Sequence, residues 1–114
     1  PYNSINIIMG WEIYIFIQKK SGIYHGMEDF IMLEFKYDTQ LLIEGTDLDE
    51  DEINDYITEH FKGDCLLAVG DEELIKIHFH TNEPWKVLEY CASLGEIYDI
   101  VVEDMDRQSR GLHG

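Results

Sequence analysis

From Met32 to Glu44 the chain alternates: Leu33, Phe35, Tyr37, Thr39, Leu41 and Ile43 against Glu34, Lys36, Asp38, Gln40, Leu42 and Glu44. Successive side chains leave a strand on opposite sides, so this pattern predicts a long strand with one apolar face and one mostly polar face. Gly45-Thr46-Asp47 breaks it. Asp47 or Asp49 then caps a helix whose first turn, Glu50, Asp51 and Glu52, suits the positive end of the helix dipole. Ile53, Tyr56, Ile57 and His60-Phe61 keep helical spacing, and Lys62-Gly63 provides a stop. Asp64 to Val69 reads as a short apolar strand, and Gly70-Asp71-Glu72-Glu73 as a turn. The run Leu74-Ile75-Lys76-Ile77-His78-Phe79-His80-Thr81 alternates again, with Ile75, Ile77 and Phe79 on one side and Lys76, His78 and His80 on the other. Thr81-Asn82-Glu83-Pro84 is a helix start with proline in the first turn. That helix buries Trp85 or Val87, Leu88, Cys91 and Leu94, and Gly95 closes it. Glu96 to Glu103 is a last strand.

The order from residue 32 to residue 103 is β-α-β-β-α-β. This predicts an α+β fold of the ferredoxin-like type, a two-layer sandwich with two helices on one face of a four-stranded sheet. The first and third strands are expected to be central, adjacent and parallel. Leu41, Ile43, Ile75, Ile77 and Phe79 should meet the helices, leaving Asp38, Gln40, His78 and His80 on an open, exposed face.

The flanks read differently. Residues 1–30 form a compositional unit of their own, in which Trp11 to Gln18 is rich in β-branched and aromatic residues and predicts an N-terminal β-hairpin-like extension. His25 in that segment reads as an exposed loop residue. The domain proper spans 31–104, and the polar stretch 105–114, with an incidental His113, reads as a linker or tail. A start on Pro1 suggests a piece of something longer.

Charge narrows the partners. Eight Lys and Arg stand against 24 Asp and Glu, a formal net charge of −16, which argues against nucleic acid and anionic membranes. No apolar run is long enough to insert in a membrane. Two cysteines are too few for a disulfide scaffold and suggest the reducing cytoplasm; both read as small core residues. The acidic run Asp47 to Asp55 lacks the glycine and the ligand spacing of a calcium loop, so it reads as a capped helix start.

Two histidines two apart on one strand are roughly 7 Å apart on the same face. Asp38 would lie on that face one strand over, ~4.8 Å away if the register brings it level. Asp38, His78 and His80 therefore form a candidate metal site. Neutral imidazoles and a carboxylate suit zinc, and two His with one carboxylate also suit iron or manganese. The alternative is an ordinary polar sheet face. No phosphate-binding glycine loop or nucleophile–base motif is present.

Lys36-Tyr37-Asp38-Thr39-Gln40, Leu42-Ile43-Glu44-Gly45, Gly63-Asp64-Cys65-Leu66 and the stretch Asp71 to Asn82 resemble the middle domain of dihydroxyacetone-kinase-like proteins, the large subunits of bacterial fatty acid kinase. The similarity ends near Met105 and does not include residues 1–30. It implies a parent protein with an N-terminal kinase domain that binds ATP and magnesium and a C-terminal domain that engages the fatty-acid-carrying partner. It implies for the middle domain a zinc-type site, built from the H-x-H pair and a residue on the tyrosine strand, and a role in homodimer formation. That residue is often cysteine in a Tyr-Cys-Thr-Glu setting; here Asp38 and Gln40 stand instead, a harder ligand set. The expected function is a metal-binding, non-ATP-binding regulatory or dimerisation domain. The alternatives are a small phosphatase-like metal-dependent hydrolase using Asp38, His78 and His80, or an ACT-like ligand-binding regulatory domain.

Overall fold

Alternation along Tyr37–Glu44 and Leu74–Thr81 sets the two strands at the middle of the sheet. The computed structural model describes residues 33–114, which form one compact unit. The extension expected over 1–30 lies outside the described residues. The elements are β1 (Tyr37–Glu44), α1 (Glu50–His60), β2 (Gly63–Gly70), β3 (Leu74–Thr81), α2 (Pro84–Leu94), β4 (Glu96–Asp104) and a short α3 (Met105–Ser109). The sheet order is β2-β3-β1-β4, and every neighbouring pair is antiparallel. This is the α+β two-layer arrangement that the element order predicts.

One part of that expectation is corrected. β1 and β3 are adjacent and central but antiparallel. A helical crossover returns β2 in the direction of β1, and the hairpin to β3 then reverses the chain before β3 inserts between them. The register is thereby fixed, with Asp38 opposite His80 and Gln40 opposite His78.

The core lies between the sheet and both helices. Leu41 and Ile43 from β1, Ala68 from β2, and Ile75, Ile77 and Phe79 from β3 meet Ile53 and Ile57 of α1 and Val87 and Cys91 of α2. Both helices therefore cover one face of the sheet. Asp49, rather than Asp47, caps α1 by accepting the Glu52 amide at 3.1 Å. Pro84 opens α2, whose Trp85 stays 59% exposed.

Three boundaries differ from the pattern. β1 begins at Tyr37 instead of Met32, because Asn82 holds the preceding bend: its Oδ1 accepts the Lys36 amide at 2.9 Å and its Nδ2 donates to the Glu34 carbonyl at 3.0 Å. Gly63 opens β2 instead of ending α1; a Cβ there would overlap the Phe79 ring and the His80 carbonyl, so the strands approach closely only with glycine. Beyond Asp104, where composition reads as a tail, Asp104 caps α3 by accepting the Arg107 amide at 3.0 Å, and Met105 is buried.

Candidate metal centre

The face of the sheet opposite the core carries Asp38, Gln40 and Leu42 from β1 and Lys76, His78 and His80 from β3. With Asp38 level with His80, the three side chains singled out in the sequence come together. His78 Nε2 lies 3.0 Å from His80 Nε2 and 3.4 Å from Asp38 Oδ1, and His80 Nε2 lies 3.9 Å from the same oxygen. Three donors each ~2.0–2.1 Å from one tetrahedral ion stand about 3.3 Å from one another. The observed separations bracket that value, so the donor set passes this test of fit for a zinc-sized ion.

The face is not open, as the alternation had suggested. Asp38 is 2% exposed and His78 and His80 1% each. β1 and β3 are the two inner strands, so each of these side chains has a neighbouring strand on both sides. Leu42 on the same face is buried as well.

Burial sets the protonation states. It pushes the Asp38 carboxyl up to about 6, against the opposing pull of the Gln40 amide. It pushes His78 down to about 3, helped by the adjacent His80 and Lys76, and His80 down to about 4. At neutral pH the site thus holds one carboxylate and two neutral imidazoles, the forms that bind a divalent cation. Gln40 Nε2 donates to both Asp38 oxygens at 3.3 Å, an outer contact of the kind that orients a ligating carboxylate.

Two residues that the sequence did not single out stand beside the site. β2 is bulged between Asp64, which pairs with His80, and Leu67, which pairs with His78. Cys65 lies in that bulge with φ 54°. It is half-buried instead of core, whereas Cys91 is in the core as expected. Asp64 Oδ1 stands 3.7 Å from His80 Nδ1. One donor atom from each of Asp64, Cys65 and His80 lies within 4.8 Å of the others. Burial, then the Asp64 carboxylate, pushes the Cys65 thiol up to about 11. The only sequence signal for this neighbourhood was that Gly63-Asp64-Cys65 opens the strand paired with β3.

The metal could be held by Asp38, His78 and His80; the chemistry it would supply when bound is a Lewis-acid centre with room for a further ligand. Two surface clefts, about 440 Å³ beside Asp51, Asp55 and Glu59 and about 220 Å³ beside Phe61, Lys62 and Asn82, are lined by other residues. Among the described residues no helix is long and apolar enough to cross a membrane.

Uncharacterized proteins of Staphylococcus aureus strains USA300, MRSA252 and N315 are each 33% identical to this sequence over 91 residues. That stretch is 76% of this chain and 16% of each relative, so the chain spans a small part of their length. The family model for the FakA-like middle domain of fatty acid kinase matches residues 34–112, a span that contains all four strands and the Asp38, His78 and His80 cluster. The chain belongs to the FakA-like fatty acid kinase family and carries its middle domain.

Proposed function

We propose that this domain is a metal-bearing, non-ATP-binding regulatory and dimerisation module of a cytoplasmic fatty acid kinase subunit, with zinc, or else iron or manganese, held by Asp38, His78 and His80. The observation that carries the reading is the convergence of three buried donor atoms at 3.0–3.9 Å from β1 and β3. The near-complete burial of those donors supports a structural ion over a hydrolytic one, since a hydrolase must admit its substrate to the metal. The family supports placement between other domains of a larger kinase, and a fatty-acid-carrying protein is the partner of that parent.

Dimer formation is supported by β4, the outer strand beside β1, which exposes Ile100, Val101 and Val102 in succession. Such a stripe on an edge strand is a natural pairing surface. Free cysteines support a reducing compartment.

Metal analysis of the purified chain, with anomalous scattering to locate the ion, tests the first part. The expected result is an ion between β1 and β3 that is lost in His78→Ala. A metal-free chain, unchanged in stability and assembly by His78→Ala, would overturn it.

A further inference from the structure

The two ring nitrogens of His80 face different donor groups. Nε2 faces His78 Nε2 at 3.0 Å and Asp38 Oδ1 at 3.9 Å, while Nδ1 faces Asp64 Oδ1 at 3.7 Å on β2. Cys65 belongs with Asp64 and His80 in a second cluster whose donor atoms lie within 4.8 Å of one another. Resting on the metal reading above, we infer that Asp64, Cys65 and His80 form an alternative position for a thiophilic divalent cation, next to the Asp38–His78–His80 position and sharing His80 with it.

A neutral imidazole has one lone pair, and its other nitrogen carries the proton. An ion on Nε2 therefore leaves Nδ1–H pointing toward Asp64, which then acts as the outer carboxylate that orients the ring. An ion on Nδ1 reverses the tautomer and withdraws His80 from the first position. The two positions exclude each other, and the chain takes one ion. The choice follows ligand softness: a thiolate, an imidazole and a carboxylate favour cadmium, whereas two imidazoles and a carboxylate also accept manganese. On binding at the second position the Cys65 thiol loses its proton to solvent and its sulfur becomes the ligand. The bulge makes this arrangement available, because it inserts a residue into β2 beside His80.

The probes are cadmium and manganese ions, each titrated into the chelator-treated 114-residue chain with a thiol-free reductant. Cadmium should bind about one ion per chain with a thiolate-to-metal charge-transfer band. That band should vanish in Cys65→Ser and survive in His78→Ala. Manganese binding should persist in Cys65→Ser and be lost in His78→Ala, and His80→Ala should lose both. Cadmium binding without the band, a band that survives Cys65→Ser, or simultaneous binding of two ions would overturn the inference. If the band is missing while manganese binding still depends on His78, this inference falls and the metal reading stands. If neither ion binds, both fall.

Discussion

Burial acts in opposite senses on Asp38 and on the two histidines. It raises the carboxyl from an ordinary 3.8 to about 6 and lowers the imidazoles from 6.5 to about 3 and about 4. In the ion-free chain the raised Asp38 contributes stability that is present below 3.8 and lost as pH rises through about 6. The lowered histidines contribute stability present above 6.5 and lost as pH falls through about 4 and then about 3. Zinc must displace the Asp38 proton but meets neutral imidazoles throughout the range from about pH 5 upward. Zinc affinity should therefore rise up to about tenfold per pH unit below about 6 and level off above it, with proton release only on the rising limb. Isothermal titration in buffers of different ionisation enthalpy measures both; an affinity flat with pH would exclude Asp38 as a ligand. Which face each of these side chains takes was legible from alternation alone. Their burial was not, because alternation reports sides and not what flanks them, although Leu42 on the polar side was a hint. Cys65 was hidden for a different reason: a bulge breaks the two-residue period by which a strand is read.

At the scale of elements, turn and cap chemistry carried most of the information. Asp49 accepts the Glu52 amide, as the acidic run implied, and Asp49→Ala should cost about 1 kcal/mol, read as a lower urea midpoint with an unchanged slope. Gly63 is the more severe test. The added methyl group of Gly63→Ala meets the Phe79 ring and the His80 carbonyl, one of them backbone that has no free rotamer to yield. A loss of about 1–3 kcal/mol is expected, as for overpacked sites. The same change should weaken metal binding, since β2 and β3 carry His80 and its neighbours. A Gly63→Ala variant as stable as the parent would contradict the close approach of these strands. Direction was the one feature of the sheet read wrongly. The β-α-β-β-α-β order sets which strands neighbour each other, but their sense follows only when each reversal of the chain is counted through the hairpin between β2 and β3.

For the whole molecule the dominant quantity is charge. A formal net charge of −16 over 114 residues leaves like charges repelling across the surface, with α1 opening on Glu50, Asp51 and Glu52. Screening shortens from about 30 Å at 0.01 M salt to about 8 Å at 0.15 M. The ion-free chain should accordingly melt a few degrees higher in added sodium chloride, and a melting temperature that falls with salt would show that attractive ion pairs outweigh the repulsion. Membership of the family was legible from the H-x-H strand and its tyrosine partner, because those segments keep their spacing. The most direct test of the metal site is quantification of metal in the purified chain alongside His80→Ala. About one divalent ion per parent chain and almost none in the variant is the expected result. Equal, substoichiometric metal in both would contradict a centre built on Asp38, His78 and His80.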